Sequence, residues 1–429
     1  MIAKNCAFTI CSRNYLTLAR VLRKSIEKYS SNCDFFICIA DEVDGAYKLD
    51  KTELICKDVL PFSEEDWVKT SFKYDVTEFC TFLKPFCFDY FQSKYSHVCY
   101  FDPDILFFDS IDIIFKEFDD CEFLLTPHIS DINNSNTDHE KIEDELRGSG
   151  IFNFGFLGLK TTERTKNFIQ WWKSRLYEKC YRDSVNYLYT DQIWGNYLLT
   201  YFDLKTIKIQ KALGWNIAPW NYSERKIILE DNKFKVVNRF FPNEKYSVVF
   251  VHYSGYDYES LSNKNIIQNN KGHESAYCDI SMLFEVYSKE LSQNIEELSS
   301  LLRLNYSYNY YSNGRKIHLF HRRLFRMFLL ERKDIGNPFD SENPHFYKKI
   351  YKYGLFQKNC MVNNKEEVRS SGKKIKIVNY FFRIVFFVLG FEKYISLLKL
   401  LKAYGQFENQ VHLIDKKNNV LWYREFIIR

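Results

Sequence analysis

Hydrophobic and polar positions along the first forty residues follow the pattern of a βαβ unit. Ala7–Cys11 is a short apolar run that predicts a strand, and Asp34–Ala40 predicts a second one. Between them, Tyr15–Tyr29 carries apolar residues at helical spacing on one face. A helix that connects two such strands favours a parallel pairing, so we predict an α/β domain.

The next elements continue this alternation. Asp75 and Glu78 have the spacing of a capping box and predict the start of a helix, which Pro85 should interrupt or kink. The apolar run His97–Phe101 then predicts a central strand, and Phe123–Thr126 predicts another. Residues 129–146 are polar and rich in Asn, with an acidic helical segment at their end, so we expect a mobile loop over a site.

Three further stretches complete the first half of the chain. Gly148–Leu159 is a glycine-containing hydrophobic strand, and glycines there let a ligand or a second backbone approach closely. Thr190 should cap a helix that runs through Trp194 and Leu198. Gly214–Asn221 contains two tryptophans among amides, which suits either a saccharide-stacking surface or core packing.

Beyond a polar stretch at residues 262–275, the pattern becomes mainly helical, with a predicted hairpin near Tyr306–Ile317. Lys374–Tyr404 is helical and mostly apolar, with flanking lysines. It predicts either an interfacial helix on an anionic membrane, through residues 374–405, or a terminal helix packed on its own domain. We expect three regions: a catalytic domain at residues 1–260, a helical and hairpin extension at 275–340, and a basic helical region at 341–429.

Charge narrows the possible binding partners, and cysteine content indicates the cellular compartment. The net charge is +5, but residues 365–429 hold 13 Lys and Arg against 6 Asp and Glu, a net of +7 that leaves −2 for the rest. Nucleic-acid binding by the main domain is therefore not expected. The twelve scattered cysteines suggest a reducing cytoplasm. We find no signal-peptide pattern and no membrane span, and expect a cytoplasmic protein or one peripheral to the inner face of the membrane.

The strongest candidate chemistry follows the central strand. Asp102 and Asp104 flank Pro103, and in an extended segment their side chains point to the same side, so both can bind one cation. Pro103 should turn the chain into solvent there. His252 ends the apolar strand Val248–Val251, which we place in the same sheet as Asp102, and is the third candidate ligand.

Two carboxylates and one imidazole leave positions on an octahedral ion that diphosphate oxygens can fill. This donor set favours Mn²⁺, with Mg²⁺ as the alternative. Such an ion neutralises the charge that builds on a departing nucleoside diphosphate. The chemistry indicated is the breaking of a sugar–diphosphate bond.

Other polar residues are placed to assist that chemistry. Lys84 lies near the end of the helix before the central strand, as a second cation or as a solvated helix residue. Asn153 could hydrogen-bond a sugar hydroxyl or be a satisfied strand amide, and Asp191 or Gln192 could face the reacting carbon or serve the helix start. The first strand has no Gly-x-Gly-x-x-Gly after it, so nucleotide contacts should come from other residues at its carboxyl edge. Those candidates are Thr9, Asn14 and Tyr15.

These motifs, in this order and rough spacing, resemble glycosyltransferase family 8 of the GT-A type over residues 1–260. They are Asn14-Tyr15, Lys84-Pro85, Tyr100-Phe101-Asp102-Pro103-Asp104, Phe152-Asn153-Phe154-Gly155, Asp191-Gln192 and His252-Tyr253-Ser254-Gly255. The longer chain, to about residue 340, is similar to uncharacterised bacterial glycosyltransferases of surface-polysaccharide clusters, on the basis of Leu125–His128, Trp215-Asn216, Trp220-Asn221 and Tyr306–Arg326.

The resemblance implies a GT-A fold with a Rossmann-like mixed sheet, followed here by a mainly α-helical extension. It also implies a nucleotide-sugar donor, most often a UDP-sugar, a glycan or lipid-linked oligosaccharide acceptor, Mn²⁺, and retention at the anomeric carbon. Asp102, Asp104 and His252 would be metal ligands. Asn153 would contact the sugar, and Asp191 and Gln192 would be catalytic.

The sequence departs from the family pattern at two places. Lys84 stands where the family usually has Arg, and Tyr256-Asp257-Tyr258 follows Gly255 in place of the usual Lys and Pro-Trp. Three alternatives stay open. The acidic stretch 138–145 could supply the base of an inverting enzyme. The chain could be a non-catalytic nucleotide- or sugar-binding subunit. A sugar-1-phosphate nucleotidyltransferase is a third, although Ser12-Arg13-Asn14 is a poor phosphate loop.

Overall fold

A computed structural model describes residues 4–30, 32–43, 49–132, 137–268, 277–356, 372–415, 421–423 and 426–428. The chain forms two compact units. The first combines Met1–Thr70 with Val76–Tyr308, and the second combines Ser71–Asp75 with Asn309–Arg429. The three-region division expected from sequence stays a prediction, and residues 269–276 of its first boundary lie outside the described residues.

The first unit is built on a seven-stranded mixed sheet. The strand order is β10-β6-β7-β4-β1-β2-β3. β7 runs antiparallel to both β4 and β6, and the other neighbours in the sheet are parallel. The strands are β1 (Asn5–Cys11), β2 (Cys33–Ile39), β3 (Glu53–Ile55), β4 (His97–Phe101), β6 (Phe123–Pro127), β7 (Phe152–Lys160) and β10 (Ile207–Ile209).

The predicted βαβ opening is confirmed. β1 and β2 pair in parallel, and α1 (Leu16–Glu27) connects them. The predicted apolar face of α1 is buried, including Leu18, Leu22 and Ile26. A seven-residue strand with six buried residues, such as β1, needs cover on both faces, which is typical of an α/β sheet.

The order of the sheet reverses beside β1. β1 pairs with β2 on one side and with β4 on the other, so the chain leaves the first βαβ unit in one direction and continues in the opposite one. Ligands of open α/β sheets bind at such a switch point, beyond the carboxyl ends of the strands. Here those ends are Cys11 and Phe101, so Asp102 lies at the edge where a ligand is expected.

Helices cover the sheet, and two of them bear on the sequence predictions. Pro85 does not interrupt its helix, because α4 continues from Val76 to Gln92. The acidic helical segment predicted at the end of residues 129–146 is α6 (Thr137–Ser149), which buries Ile142, and residues 133–136 are outside the described part. A mobile loop over the site stays a prediction. The remaining helices of the chain up to residue 308 are α2 (Cys56–Val59), α3 (Glu64–Lys73), α5 (Asp112–Lys116), α7 (Glu163–Lys179), α8 (Leu198–Tyr201), α9 (Tyr258–Ser262), α10 (Ser281–Ser292) and α11 (Ile295–Leu302).

His252 is not in the main sheet, contrary to the prediction. It ends β14 (Phe250–His252), which pairs antiparallel with β5 (Ile105–Phe107) in a separate two-stranded sheet. The chain after Pro103 therefore enters a buried strand and does not turn into solvent. The other small strands of this unit are β8 (Arg182–Asp183), β9 (Leu188–Tyr189), β11 (Arg225–Glu230), β12 (Lys233–Asn238) and β13 (Lys245–Ser247).

The second unit packs around Phe72 and an aromatic cluster from the C-terminal part of the chain. Its predicted hairpin is a turn whose two sides are joined by a bridge between Tyr310 and Lys316. The predicted C-terminal helix is confirmed. No helix in the described ranges is both long and apolar enough to cross a membrane. The elements are α12 (Leu319–Leu330), α13 (Tyr347–Lys352), α14 (Gly372–Tyr404), β15 (Leu421–Tyr423) and β16 (Phe426–Ile428).

Short 3₁₀ helices make several connections in both units. They are Arg13–Tyr15, Glu117–Asp119, Ser184–Asn186, Gln192–Tyr197, Leu204–Thr206, Pro219–Asn221, Cys278–Ile280, Ser307–Asn309 and Phe407–Leu413.

Gly214 lets two backbone segments approach each other beside β14. A Cβ at this position would lie 1.8 Å from the carbonyl oxygen of Ser247. Because that atom is backbone, it cannot move aside by changing a rotamer. We expect Gly214→Ala to lower the free energy of unfolding by about 1–3 kcal/mol or more, measured by urea denaturation.

Gly148→Ala is the matched control for this prediction. A Cβ on Gly148 would have no atom within 4 Å, and the residue lies within α6. Alanine favours a helix by up to about 1 kcal/mol over glycine, so this variant should be neutral or slightly more stable. Equal losses in the two variants would contradict the close approach at Gly214.

Candidate active site

Asp102 and Asp104 are held at the carboxyl end of β4 by the strands on either side. The Asp102 amide donates to the carbonyl oxygen of Gly155 at 2.8 Å, and the Ile105 amide donates to the Asp102 carbonyl oxygen at 3.2 Å. The second bond closes a tight turn, which brings both carboxylates to one side. Asp104 is buried, with 8% of its surface exposed, because β5 begins directly after it.

The small sheet brings His252 to these carboxylates. In the β5–β14 register His252 is opposite Ile105, and the Tyr253 amide donates to the Asp104 carbonyl oxygen at 2.9 Å. His252 Nε2 then lies 3.1 Å from Asp104 Oδ1 and 3.6 Å from Asp102 Oδ2. One ligand atom from each of the three residues lies within 4.8 Å of the other two.

The imidazole is fixed in place by packing. A Cβ on Gly155 would lie 2.4 Å from His252 Cε1, so only glycine fits beside the ring. The indole of Trp220 meets the imidazole edge to face, with ring centroids 5.2 Å apart. Trp220 therefore borders the site, whereas Trp215 packs into the core against Phe156 and Phe250.

Lys84 reaches the same place from α4. Its Nζ lies 2.8 Å from Asp191 Oδ2 and 3.7 Å from Asp102 Oδ1, and it donates to the Phe154 carbonyl oxygen at 2.8 Å. The side chain is buried, so the alternative of a solvated helix residue is wrong. The structure brings the predicted residues Lys84, Asp102 and Asp191 into one group.

These contacts form a row of alternating charge, which we call the ion row. It consists of Asp191, Lys84, Asp102, His252 and Asp104, with successive closest distances of 2.8, 3.7, 3.6 and 3.1 Å. Asp102, in the middle of the row, has the most exposed side chain of the five, at 29%. The row is therefore reachable from solvent at its centre and buried at both ends.

The pKa shifts in the ion row arise because three carboxylates face two basic groups, Lys84 and His252. Burial alone would lower the pKa of Lys84, but the charges of Asp191 and Asp102 outweigh it and the pKa is raised. Burial likewise opposes protonation of His252, yet the charge of Asp104, its hydrogen bond and the charge of Asp102 raise its pKa. Burial raises the pKa of Asp191, and Lys84 offsets this only in part. The row thus carries an excess of negative charge.

Two tyrosine hydroxyls support the carboxylates. Tyr100 donates to Asp102 Oδ1 at 2.5 Å, and Tyr258 donates to Asp104 Oδ2 at 2.8 Å. Neither was identified as a site residue from sequence. Tyr100 could have been found, because residues two apart in a strand share a face with Asp102. Tyr258 lies in the segment that departs from the family pattern, and its position became clear only from the fold.

Asn153 joins a buried amide network beside the row. Its Oδ1 accepts from the Gly155 amide and from Asn216 Nδ2, both at 3.1 Å, and its Nδ2 lies 3.3 Å from His128 Nε2. Burial lowers the pKa of His128 to about 4, so this imidazole is neutral at physiological pH. The sequence signal for Asn216 and His128 was their place in the resemblance. A role for Asn153 at the sugar stays a prediction.

The helix start at residues 190–192 differs from its prediction. Thr190 has a φ of 44° and does not cap a helix, and the element that follows is a 3₁₀ helix from Gln192 to Tyr197. Asp191 precedes that helix without a side-chain cap bond and faces Lys84. Gln192 Nε2 donates to the Ser149 carbonyl oxygen at 2.8 Å, and no described contact joins Gln192 to the ion row.

The predicted nucleotide contacts lie at or near the switch point. Tyr15 meets Tyr258 edge to face at 5.7 Å, and burial together with the charge of Asp104 raises its pKa to about 12. Asn14 Oδ1 accepts from the Ser12 hydroxyl at 2.5 Å. Thr9 is fully buried within β1, and its hydroxyl has no hydrogen-bond partner in the described part of the chain. Tyr15 is thus the one of these three with a described link to the ion row.

Comparison with known proteins adds the family. The family model described as glycosyl transferase family 8 matches residues 6–257, more than half of the chain. The chain belongs to glycosyl transferase family 8. This agrees with the resemblance found in the motifs. The described architecture is that of a GT-A glycosyltransferase with a helical C-terminal region, and the protein is a glycosyltransferase. This fold implies a nucleotide-sugar donor and a glycan acceptor.

Two relatives from Bacillus subtilis (strain 168) are similar over most of their length. YfnF is 26% identical over 302 residues, which is 68% of this chain and 93% of that protein. YfnD is 23% identical over 301 residues, 68% of this chain and 90% of that protein. Both are described as uncharacterized, so neither gives a substrate.

Similar solved structures are also glycosyltransferases. The galactosyltransferase LgtC, in complex with donor and acceptor sugar analogs, is 17% identical and covers 69% of this chain and all of its own, with a TM-score of 0.41. GlyE of Streptococcus pneumoniae TIGR4 is 12% identical, covers 72% of this chain and 67% of its own, and has a TM-score of 0.35. TM-scores this low support no conclusion about substrate or mechanism.

The buried pair of Lys84 and Asp191 gives a test of the ion row by stability. We expect Lys84→Met to lower the free energy of unfolding at neutral pH by about 3–5 kcal/mol, because it leaves Asp191 buried without its cation. The pKa of Asp191, already raised by burial, should rise further. A carboxyl whose pKa is higher in the folded than in the unfolded protein stabilises the fold at pH values below the unfolded-state pKa. That stabilisation is lost as the pH rises through the folded-state pKa. The difference in unfolding free energy between wild type and Lys84→Met, measured by urea denaturation, should therefore decrease toward acidic pH.

Two variants control for the loss of the lysine itself. Lys84→Met with Asp191→Asn removes both charges and should recover most of the stability. Lys173→Met removes a more exposed pair with Asp89 and should change stability by at most about 1 kcal/mol. Equal stability of Lys84→Met and Lys173→Met at neutral pH would contradict a buried ion pair between Lys84 and Asp191.

Proposed function

We propose that this glycosyltransferase is metal-dependent and uses a UDP-sugar as donor. It transfers the sugar, with retention of anomeric configuration, to a glycan or lipid-linked oligosaccharide during the synthesis of a bacterial surface polysaccharide in the cytoplasm. The observation that carries the proposal is the convergence of Asp102, Asp104 and His252 ligand atoms within 4.8 Å.

The donor set fits a divalent cation. Two carboxylates and an imidazole suit Mn²⁺, with Mg²⁺ as the alternative. His252 Nε2, a nitrogen able to bind a metal, already lies 3.1 Å from Asp104 Oδ1, and the negative charge of the two carboxylates raises the pKa of this imidazole. When bound, the cation supplies charge neutralisation for the departing nucleoside diphosphate. Because its ligands are best deprotonated, binding should release protons.

The other residues of the ion row have complementary roles in this proposal. Lys84 contacts Asp191 Oδ2 and the Thr190 hydroxyl donates to Asp191 Oδ1, so this carboxylate is held from two sides at the start of a 3₁₀ helix. A carboxylate held there can stabilise positive charge on the anomeric carbon as its bond to the diphosphate oxygen breaks. The acceptor hydroxyl oxygen then bonds to that carbon on the same face, and its proton passes to the departing diphosphate oxygen. Gln192 and Asn153 are proposed contacts to the sugar.

Thermal stability tests the proposed donor class and the metal together. Unfolding should be measured with a panel of nucleoside diphosphates and nucleotide sugars, each with and without Mn²⁺. A ligand that binds only the folded state adds about 2.7 kcal/mol at a hundred times its Kd. We expect the largest Mn²⁺-dependent shift with UDP compounds. Asp104→Asn should abolish the Mn²⁺-dependent part of the stability shift. The variant should still fold, because asparagine preserves the shape of the side chain.

The control is Asp120→Asn, an exposed aspartate outside the ion row, which should keep the full shift. The nucleotide sugar that shifts stability most is then used as substrate, and release of UDP is measured. NMR of the anomeric proton in the product tests retention. A fully folded protein that shows no nucleotide-dependent shift would favour a non-catalytic subunit. An inverted product would contradict the proposed retention and would mean that a base outside the ion row deprotonates the acceptor.

Tyr258 gives a second, independent test of the metal site. Its hydroxyl can donate to Asp104 Oδ2 at 2.8 Å or to the Tyr253 carbonyl oxygen at 2.9 Å, and the charged acceptor forms the stronger bond. Tyr258→Phe frees Asp104 to rotate. We expect the affinity for Mn²⁺ alone, measured by titration calorimetry, to fall by about 10–100-fold.

Tyr246→Phe is the matched control, because the Tyr246 hydroxyl also donates to a carboxylate, that of exposed Glu244. This variant should bind Mn²⁺ as tightly as the wild type. An unchanged affinity in Tyr258→Phe would show that Asp104 does not depend on this hydroxyl for its orientation.

A further inference from the structure

The C-terminal helix α14 is not a straight rod. Gly390 interrupts it with φ 71° and ψ 172°, a conformation outside the helical region. The ring of Phe386 lies 5.3 Å from that of Tyr394, and the ring of Phe382 lies 6.3 Å from it. Residues eight apart in a straight helix are separated by about 12 Å along the axis. The two arms therefore fold back on each other, and we call residues 372–404 the apolar hairpin.

The tip of the hairpin is hydrophobic without interruption. Residues 384–391 are Ile-Val-Phe-Phe-Val-Leu-Gly-Phe, with no charged or polar side chain. Phe387 is 84% exposed, Val388 76% and Phe391 68%. Surface aromatic residues occur singly in most proteins, but a contiguous exposed patch marks an interaction site. The described part of the chain leaves this tip without cover.

Basic residues border the tip on both arms. Residues 374–404 contain six Lys and Arg and one Glu, a net charge of +5. Arg383 immediately precedes the apolar tip, Lys393 follows it closely, and both are exposed. Lys374 and Lys376 lie further along the first arm and are exposed as well. An apolar end with a positive border has the charge pattern complementary to an anionic lipid surface.

The base of the hairpin is fixed to its own unit. Ala403 is buried, and its carbonyl oxygen accepts from Asn409 Nδ2 at 2.8 Å. The ring of Tyr404 packs against that of His412, with centroids 6.0 Å apart. The hairpin is thus anchored at its base and exposed at its tip. Because the anchored base limits the motion of the tip, the entropic cost of docking is lower.

We propose that the apolar hairpin inserts its tip into the surface of an anionic lipid bilayer. The apolar residues 384–391 enter the boundary between headgroups and acyl chains, while Arg383 and Lys393 contact phosphate groups. The hairpin enters one leaflet and returns, in keeping with the absence of a spanning helix in the described ranges. This membrane contact was one of two alternatives in the sequence, and the folded-back geometry favours it over packing on the protein. It is independent of the donor and of the metal.

Vesicle co-sedimentation of the full-length protein tests the proposal. Vesicles of phosphatidylcholine alone are compared with vesicles that also contain phosphatidylglycerol. Wild type should bind the anionic vesicles, and higher salt should weaken binding. Phe387→Ser with Phe391→Ser should reduce the partition coefficient by roughly tenfold or more, because both side chains lose their apolar insertion. Replacing Arg383 and Lys393 by Gln should reduce it by roughly fivefold for each charge.

Matched controls remove exposed apolar side chains elsewhere. Phe241→Ser with Leu204→Ser changes residues that are 64% and 61% exposed but lie outside the hairpin, and this variant should bind like the wild type. Equal losses in the two double variants would overturn the proposal, as would a folded wild type that binds neither vesicle. Sedimentation equilibrium without lipid gives the remaining outcome. A dimer that Phe387→Ser with Phe391→Ser converts to monomer, with no vesicle binding by the wild type, would assign the tip to a second copy of the chain instead.

Discussion

The alternating ion row is the interaction on which the site depends. Three carboxylates share two basic groups in a largely buried place, so removing Lys84 would leave the buried carboxylate of Asp191 without its cation. The arrangement also explains why a cation is suited to this position. The charges of Asp104 and Asp102 raise the pKa of His252 against the effect of burial, and in the function we propose a divalent cation binds the same two carboxylates. The row is therefore a structural element of the first unit and, in the function we propose, also the cation site.

Topology supplies the members of the row from distant parts of the sequence. The switch beside β1 places the end of β4 next to the end of β1. α4 brings Lys84 from before that strand, and the β5–β14 pair brings His252 from nearly 150 residues later. Each contribution depends on a different connection.

Periodicity predicted much of this correctly. The βαβ opening, the central strand and the glycine-containing strand have strong local patterns, and the motif order indicated the family. The errors came from tertiary context. Pro85 is accommodated within α4, and Thr190 does not cap a helix, because local propensity is overridden where packing or an ion pair decides. The partner strand of β14 could not be predicted, since short apolar strands carry no information about which sheet they join. Tyr258 was missed for a similar reason: only the fold brings it to Asp104.

β7 contacts three of the five members of the row. The Gly155 carbonyl oxygen holds Asp102, the Phe154 carbonyl oxygen holds Lys84, and the bare Cα of Gly155 makes room for His252. A slip of two residues in the pairing of β7 would keep its side chains on the same faces, yet it would replace Gly155 by a bulky residue and break up the row. Assembly of the ion row therefore depends on the register of β7: a chain with β7 misaligned could be compact and still lack the row.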